Sequence, residues 1–289
     1  MVFRDFLSGR RFGKVIPGFG VDAGSPPPLA SHQIEPSGRG APQFARPWRI
    51  PSQWRATLFA MNLSALRSLF SFRKRPATPP VDFLTRVSGV VHVGANQGQE
   101  RDQYAALGLA VLWVEPIPEV FSMLQENIAG FPNQRALQYL ITDREDQPYT
   151  FNIANNLGRS SSILDFKLHK DIWPSVQFTH SVTLRSRTLA GVLAEEKIDP
   201  SLFQALVIDT QGSELLVMRG AGSYLGQFQF IKTEVADFEA YEGCCQLDEV
   251  TAFLAGHGFR EYSRAQLAVR KKGGTYYDIV YWKPARRKR

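Results

Sequence analysis

A turn with two glycines follows an apolar run in the stretch VVHVGANQGQE, residues 90–100. Gly94 lets the chain turn tightly, and Gly98 lets a helix begin close to a ligand with no side chain between them. The spacing G-x-x-x-G matches neither the dinucleotide-binding pattern G-x-G-x-x-G nor the phosphate loop that ends in Gly-Lys-Ser/Thr. The turn therefore predicts a ligand site, and the residues that follow it must indicate which ligand.

Acidic residues follow the next two apolar runs. Glu115 ends VLWVE about twenty residues after the turn, which is the spacing of an acid that accepts hydrogen bonds from ribose hydroxyls in doubly wound folds. Ile117 can lie against an adenine face. Asp143 follows ALQYLIT, where it can accept a hydrogen bond from the adenine amino group. The alternatives are a helix-capping acid for Glu115 and a solvated turn acid for Asp143.

The order of glycine turn, ribose acid and adenine acid fits a nucleoside ligand. No glycine pattern or cation for a pyrophosphate accompanies these residues in the sequence, so the predicted ligand carries no phosphates. S-adenosylmethionine is the common cofactor of that kind. We therefore predict S-adenosylmethionine as the cofactor, with the turn as part of its binding site.

Six segments extend this pattern in order: VVHVGANQGQE, WVEPIPEVFSMLQENI, LITDREDQPYTFNIANNLGRSSSIL, RTLAGVL, VIDTQGSELLVMRGA and KTEV. Together they resemble the FkbM-type S-adenosylmethionine-dependent methyltransferases over residues 90–282. The resemblance implies a class I, Rossmann-like methyltransferase fold. It also implies O-methylation of a hydroxyl on a sugar, glycan or natural product, so the expected partner is a small-molecule or glycan acceptor.

The resemblance also assigns residues to the cofactor. It places five residues in the cofactor turn and at the ribose: Gly94, Ala95, Asn96, Gly98 and Glu115. His92 departs from the family pattern, because many members carry an acid there that helps to position the methionine amino group of the cofactor. We keep His92 as a cofactor-binding candidate, and the alternative is a buried structural histidine.

Two carboxylates are the candidate catalytic residues. Methyl transfer to an alcohol requires in-line positioning and a base that takes the hydroxyl proton. Asp209 follows the apolar run ALVI and, with Gly212, matches the Asp-x-x-Gly element of the family, so it is the first candidate for the base or for orienting the acceptor. Glu234 in IKTEV, on the neighbouring strand, is the second. The two acids could also bind a divalent ion, but no third ligand accompanies them, and we predict no metal.

Other polar residues have weaker claims to the site. The stretch NIANNLGRSSSIL, residues 152–164, is too polar for a core strand and suits either a hydroxyl-rich acceptor or a solvent-exposed loop. His169 and His180 have the chemistry of a base, but each is isolated in the sequence.

The elements that must position these residues alternate between strand and helix. Apolar runs predict strands at 90–93, 111–115, 136–141, 205–209 and 228–235. Helical patterns lie between or after them at 99–107, 119–128, 189–196, 213–218 and 247–257. Apolar strands separated by helices predict an α/β fold with a doubly wound, mostly parallel sheet. Three further segments alternate or are rich in aromatic residues, which predicts edge or antiparallel strands at 148–153, 179–185 and 276–282.

Composition divides the chain into four parts. Residues 1–51 are rich in Pro and Gly and are predicted to be a disordered extension. Residues 52–80 hold an amphipathic helix and a linker, 81–283 the methyltransferase domain, and 284–289 a basic tail. The helix is predicted to pack on the domain. The alternative is peripheral membrane contact through residues 52–75, because Trp and Phe flanked by Arg suit an anionic lipid surface.

Charge and cysteine content limit the partners and the location. The net charge is +7, but residues 1–80 carry 12 Lys/Arg against three Asp/Glu and the last seven residues add five cations, so the predicted domain is acidic. An acidic domain argues against a nucleic acid partner, because binding phosphates requires clustered cations. The adjacent Cys244 and Cys245 disfavour an unstrained disulfide and predict reduced thiols in a cytoplasmic protein. The sequence does not predict the oligomeric state.

Two other functions stay open at this point. A nicotinamide-dependent oxidoreductase would need the missing third glycine and a pyrophosphate site. A non-catalytic S-adenosylmethionine-binding or scaffold domain is favoured by His92, the departure from the family pattern.

Overall fold

A sheet of seven strands forms the centre of the structure, a computed structural model that describes residues 82–284. In chain order, the strands are β1 (Gly89–Val93), β2 (Ala110–Val114), β3 (Gln134–Leu137), β4 (Leu140–Ile141), β5 (Pro148–Ala154), β6 (Phe178–Arg187), β7 (Ala205–Ile208), β8 (Phe230–Ala236), β9 (Arg260–Val269) and β10 (Thr275–Trp282). The α-helices are α1 (Arg101–Ala106), α2 (Pro118–Ile128), α3 (Leu189–Glu195), α4 (Glu214–Gly220) and α5 (Leu247–Gly256). Each helix predicted within residues 82–284 has a counterpart, whereas β9 had none among the predicted strands.

The strand order of the central sheet is β3-β2-β1-β7-β8-β10-β9. The first five strands of this order are parallel, and β10 runs antiparallel to both β8 and β9. This arrangement confirms the predicted doubly wound, mostly parallel α/β fold. The order reverses beside β1, which has β2 on one side and β7 on the other. Ligands of open α/β sheets bind at the carboxyl ends of the strands near such a reversal.

The inner strands β1, β2 and β7 of this sheet are mostly apolar and are buried along their whole length. All residues of β1 and β2 are buried, so both faces of the sheet must be covered. Leu112 and Leu206 belong to the apolar cluster on one face, and Trp113 and Val111 belong to the cluster on the other. Removing apolar surface from water contributes roughly 25 cal/mol per Å², so the two clusters make the sheet a stable base for the residues that follow its strands.

A second sheet has the strand order β4-β6-β5. The prediction of one strand over 136–141 is wrong, because β3 ends at Leu137 and the chain enters the second sheet at Leu140. Between them, Tyr139 donates a hydrogen bond to Glu196 (3.0 Å). The predicted antiparallel segments 148–153, 179–185 and 276–282 are confirmed as parts of β5, β6 and β10.

Three predicted parts of the chain lie outside the described residues: the extension 1–51, the helix and linker 52–80, and the tail from residue 285. Among the helices of residues 82–284, none combines the length and the apolar character that are needed to cross a bilayer.

Gly94 lies where the turn after β1 meets the end of β7. Its φ is +81°, and a Cβ at this position would lie 1.8 Å from the carbonyl oxygen of Asp209. The backbone N–H of Asp209 donates to the carbonyl of Val93 (2.9 Å), and the N–H of Gly94 donates to the carbonyl of Val114 (2.9 Å). The missing side chain therefore lets the turn lie directly against the residue that follows β7.

Gly94→Ala and Gly108→Ala form a matched pair that isolates this close approach. Both glycines have a positive φ, but within the described part of the chain no atom lies within 4 Å of a Cβ at Gly108. Gly108→Ala should cost only the left-handed strain of about 1–2 kcal/mol. Gly94→Ala adds a backbone clash, for which a further ~1–3 kcal/mol is expected.

Thermal unfolding of the two variants measures the difference. Because about 1 kcal/mol corresponds to roughly 2–4 °C in a domain of this size, Gly94→Ala should melt several degrees below Gly108→Ala. Equal losses in the two variants would show that the turn is not held against Asp209.

Candidate active site

A cavity of about 550 Å³ opens at the carboxyl ends of β1, β2, β7 and β8. Its lining includes Gly94, Glu115 and Asp209, which follow β1, β2 and β7 in that order. It also includes Glu234, which lies in β8. The second sheet contributes Ile141 and Phe151 to the wall. This is the position at which the reversal of strand order predicts a ligand.

Glu115 is fixed at the cavity wall by the backbone around it. Its Oε2 accepts a hydrogen bond from the N–H of Asn96 (2.8 Å), and its Oε1 accepts one from the N–H of Ile117 (3.0 Å). Burial raises the pKa of Glu115 to about 7, although these two hydrogen bonds act in the opposite direction. Each carboxylate oxygen can accept a second hydrogen bond, so the group can still bind two donors from a ligand.

Asn96 connects the turn after β1 to the segment that covers the cavity. Its backbone is left-handed, with a φ of +45°, and its Nδ2 donates to the carbonyl of Leu157 (2.9 Å). Ala95 beside it is buried and lines the cavity. In the covering segment, a Cβ on Gly158 would lie 3.0 Å from Cδ1 of Ile117. The turn and the segment therefore enclose the Ile117 end of the cavity.

Two predicted cofactor residues do not line the cavity. A Cβ on Gly98 would lie 2.7 Å from Cδ1 of Leu124, so this glycine allows α2 to pack closely rather than a ligand to approach. Asp143 follows β4 in the second sheet, because the chain leaves the central sheet after Leu137. Its neighbour Ile141 lines the cavity, but Asp143 does not. The predicted adenine acid is therefore not brought to the site.

His92 lines the floor of the cavity as a neutral ring. Its Nδ1 lies 3.2 Å from the hydroxyl of Tyr104, and the ring stacks on Trp113 with 5.0 Å between the ring centroids. Burial, with a smaller contribution from the positive charge of Lys232, lowers the pKa of His92 to about 3. An uncharged and packed histidine cannot replace the acid that many family members have there, and this geometry supports the structural interpretation of His92.

Asp209 and Glu234 come from neighbouring parallel strands. The register pairs Ile208 with Thr233, so the two acids are the next residues on each strand and share one face of the sheet. Burial raises the pKa of Asp209 to about 7. The charge of Asp209, followed by burial, raises the pKa of Glu234 to about 9. The pair therefore holds one proton near neutral pH, since two close carboxylates do not both ionise readily.

Gln211 and Tyr241 fix the orientation of Asp209. Gln211 Nε2 donates to Asp209 Oδ1 (2.6 Å), and the hydroxyl of Tyr241 donates to Gln211 Oε1 (2.8 Å). Gln211 has a left-handed φ of +55°. Neither residue was predicted from the sequence. The Asp-x-x-Gly element that contains Gln211 could have indicated it, but no sequence pattern marks Tyr241.

The polar segment 152–164 and one of the two isolated histidines belong to the cavity. Ser160 and Ser161 are buried and line it, which favours a ligand-facing segment over a solvent-exposed loop. His169 also lines the cavity and is 1% exposed. His180 is exposed and lies beside Thr179, away from the cavity lining.

Neither a metal cluster nor a reactive thiol is found in the described part of the chain. Within residues 82–284, no three His, Cys, Asp or Glu side chains form a group that can hold a metal ion. Cys244 and Cys245 are both free thiols. Sγ of Cys245 donates to Glu214 Oε2 (3.3 Å), and burial is the main cause that raises the pKa of each thiol. Raised pKa values make the thiolate scarce, so nucleophilic chemistry by these residues is disfavoured.

The carboxyl pair predicts a stability that falls as pH rises. In the unfolded chain, both groups have ordinary pKa values of about 4, whereas in the fold both values are raised to about 7 and 9. The folded state therefore keeps protons that the unfolded state has lost. Their stabilising contribution is complete below about pH 4 and is lost as pH rises through the folded pKa values.

Glu234→Gln should remove the part of the stability loss at high pH that comes from ionising Glu234, because an amide is uncharged like the protonated acid. We expect the variant to melt higher than the wild type at pH 9, with roughly 2–4 °C gained per kcal/mol, and to differ little at pH 5. Thermal unfolding across this range measures the effect. Glu242→Gln, at an exposed acid, is the control. A Glu234→Gln variant that gains nothing at pH 9 contradicts the close pairing with Asp209.

Comparison with known proteins adds a relative and a family. The chain is 26% identical over 173 residues to the 2-O-methyltransferase NoeI of Sinorhizobium fredii, in an alignment that covers 57% of this chain and 70% of that protein. Among solved structures, TrmK of M. capricolum in complex with the natural cofactor product S-adenosyl-homocysteine matches with a TM-score of 0.41 and 6% identity, over 69% of this chain and 66% of that chain. An uncharacterized protein from Listeria monocytogenes serotype 4b matches with a TM-score of 0.41 and 9% identity, over 72% of this chain and 66% of that one. The chain thus spans just under two thirds of each of these two structures.

The family profile described as the methyltransferase FkbM domain matches residues 92–261, which is more than half of the chain. The matched region contains the turn after β1, the acids that line the cavity and the Asp-x-x-Gly element. The chain therefore belongs to the FkbM family of S-adenosylmethionine-dependent methyltransferases.

Proposed function

We propose that this methyltransferase transfers a methyl group to a hydroxyl oxygen of a small-molecule or glycan acceptor. The observation that carries the proposal is the position of Asp209 and Glu234, which come from neighbouring strands, share one face of the sheet and line the cavity. Burial raises the pKa of Asp209 to about 7, which suits a base at neutral pH. The relative named as a 2-O-methyltransferase supports oxygen as the acceptor atom.

The residues of the cavity fit the cofactor. Glu115 offers two oxygens, each with capacity for one more hydrogen bond, which suits the two hydroxyls of a ribose. Ile117, Leu140 and Phe151 form one apolar cluster and line the cavity, which suits an adenine face. Gly94, Ala95 and Asn96 belong to the turn after β1 and line the cavity. We therefore propose that these residues bind the adenosine part of S-adenosylmethionine, with Glu115 at the ribose.

His92 is proposed to be part of the floor beneath the cofactor rather than a charged ligand. Its low pKa keeps the ring neutral, and a neutral ring does not repel the positively charged sulfonium and ammonium groups of the cofactor. The nearby acids Asp209 and Glu234 supply the negative charge on this side of the cavity.

S-adenosylmethionine supplies, when bound, a methyl group on a positively charged sulfur that keeps the electron pair of the broken carbon–sulfur bond. Asp209 accepts the proton of the acceptor hydroxyl as the oxygen forms its bond to carbon. Gln211 holds Oδ1 of Asp209, which leaves Oδ2 to face the hydroxyl. Glu234 beside it is protonated, so the two groups together carry one negative charge before Asp209 takes the proton. The site thus provides a base and fixed positioning.

Glu115→Gln tests the cofactor site. The amide replaces one charged acceptor with a donor, and a hydrogen bond to a charged group is worth about 1.5–3 kcal/mol. We expect the affinity for S-adenosylhomocysteine, measured by calorimetry, to fall by at least about tenfold. Glu119→Gln, at an exposed acid in the first turn of α2, is the control and should bind normally. Equal affinities in the two variants, with unchanged melting temperatures, would remove Glu115 from the site.

Asp209→Asn tests the base. Asparagine keeps the size of the side chain and an oxygen that can accept the hydrogen bond from Gln211, but it cannot take a proton. Turnover at saturating cofactor should fall by roughly 10²–10⁴, while the affinity for S-adenosylhomocysteine changes little. Asp248→Asn on the exposed surface of α5 is the control. Full turnover in Asp209→Asn refutes its role, and equal losses of binding and turnover would make Asp209 a cofactor ligand.

A further inference from the structure

The cavity extends beyond the proposed cofactor residues into an arm with aromatic walls. His169, Trp173, Val176 and Tyr276 line this part, which we call the aromatic arm. The first three come from the connection between β5 and β6, and Tyr276 comes from β10. The proposed cofactor site and the proposed base use none of the four residues.

The aromatic arm is a packed wall. The rings of His169 and Trp173 have centroids 4.7 Å apart, and the ring of Tyr276 meets Trp173 edge-on at 5.6 Å. Phe166 stacks on His169 (4.7 Å). The backbone N–H of His169 donates to the carbonyl of Ala240 (2.9 Å), which fixes the segment against the chain after β8. Trp173 is nonetheless 37% exposed, so its ring has surface left to contact a ligand.

The strand order places this arm on the far side of the acids from Glu115. Along the sheet, Glu115 follows β2, Asp209 follows β7, Glu234 lies in β8 and Tyr276 lies in β10. The ring of Tyr241, whose hydroxyl bonds Gln211, also lies 5.2 Å from the ring of His169. An acceptor in the aromatic arm and a cofactor at Glu115 would therefore meet at Asp209 and Glu234.

His169 carries a buried polar atom that has no partner. Within residues 82–284, its Nδ1 has no hydrogen bond, although the side chain is 1% exposed and lines the cavity. Burial lowers the pKa of His169 to about 4, so the ring is neutral and each nitrogen is either a donor or an acceptor. An unpaired buried polar atom is unfavourable, and a hydroxyl can satisfy it in either state because a hydroxyl both donates and accepts.

The charges around the arm indicate which ligands it excludes. The cavity lining carries the acids Glu100, Glu115, Asp209 and Glu234 against one cation, Arg159, so the balance of charge disfavours an anionic acceptor. The neutral hydroxyls of Ser160 and Ser161 face the same cavity and suit a ligand with several hydroxyl groups. An aromatic face attracts the weakly positive C–H groups of a saturated ring, because its own charge distribution is negative at the face.

We propose that the aromatic arm is the acceptor subsite and that Trp173 and His169 select there for an uncharged saturated ring with several hydroxyls, as in a neutral hexose, over an acidic sugar or a flat aromatic alcohol. The C–H face of the ring lies on Trp173, one hydroxyl pairs with Nδ1 of His169, and a neighbouring hydroxyl faces Asp209. This inference rests on the proposed O-methyltransferase function and adds the subsite and the residues that select the acceptor. Trp173 and His169 are specificity residues in this arrangement.

The test uses the full chain saturated with S-adenosylhomocysteine and three kinds of probe. The probes are methyl glycosides of hexoses and 6-deoxyhexoses, their acidic counterparts the methyl hexuronides, and catechol as a flat aromatic alcohol. Saturation-transfer NMR detects binding of each probe and shows which protons of the glycoside ring contact the protein. We expect at least one neutral glycoside to bind through one C–H face, and the hexuronides to bind more weakly. No binding by any neutral glycoside, or a clear preference for catechol or a hexuronide, overturns the inference.

Variants at Trp173 then test the arm through the bound glycoside. Trp173→Ala should raise its Kd and its KM for methyl transfer by about tenfold, and Trp173→Phe should restore most of the loss. Leu107→Ala, at a similarly exposed side chain outside the cavity, is the control. Unchanged binding in Trp173→Ala overturns the inference. S-adenosylhomocysteine should bind all three variants normally. If it fails to bind the wild type, the proposed cofactor site fails instead.

Discussion

The contact between the Gly94 turn and the carbonyl of Asp209 is the constraint on which the site depends. A side chain at Gly94 would lie 1.8 Å from that oxygen, so only glycine lets the two strand ends lie together. The contact brings the proposed cofactor turn beside the proposed base. Glu115 then stands on one side of this junction and Tyr276 on the other, because the strand order is β2-β1-β7-β8-β10. The strand order therefore places the proposed cofactor end and the proposed acceptor end of the cavity on opposite sides of this junction.

One buried acid, Glu115, and two half-buried acids, Asp209 and Glu234, make this junction costly for the fold. Glu115, Asp209 and Glu234 all have raised pKa values, and burial contributes to each. The protein limits the cost locally, with backbone N–H groups on Glu115 and the side chain of Gln211 on Asp209. Between Asp209 and Glu234 the repulsion is relieved by a shared proton. The same arrangement that lowers stability at high pH provides a base whose pKa suits neutral solution, as is common where acids serve chemistry.

The sequence predicted those parts of the protein that follow a regular period. β2 and β7 are continuous apolar runs, so their ends, and with them Glu115 and Asp209, could be located from the sequence. The end of β3 at Leu137 was not recognised, because residues 136–141 were predicted to form one strand. Asp143 was therefore predicted to follow a strand of the central sheet, whereas it follows β4 in the second sheet.

Two residues near the proposed base had no pattern in the sequence that could identify them. Trp173 and Tyr241 come from irregular connections, and their place beside the acids depends on contacts between residues far apart in the chain, such as His169 with Ala240. Gly98 was marked by its type, and the structure adds a packing reason for glycine there, because a Cβ would lie 2.7 Å from Cδ1 of Leu124.

A crystal structure of the protein in complex with S-adenosylhomocysteine would test most directly whether the cavity has a cofactor end and an acceptor end. We expect the ribose hydroxyls within hydrogen-bond distance of Glu115, the adenine beside Ile117, and the sulfur facing Asp209 with the aromatic arm free. A complex with the adenosine stacked on Trp173, or with the sulfur pointing away from Asp209 and Glu234, would contradict the division of the cavity into a cofactor end and an acceptor end.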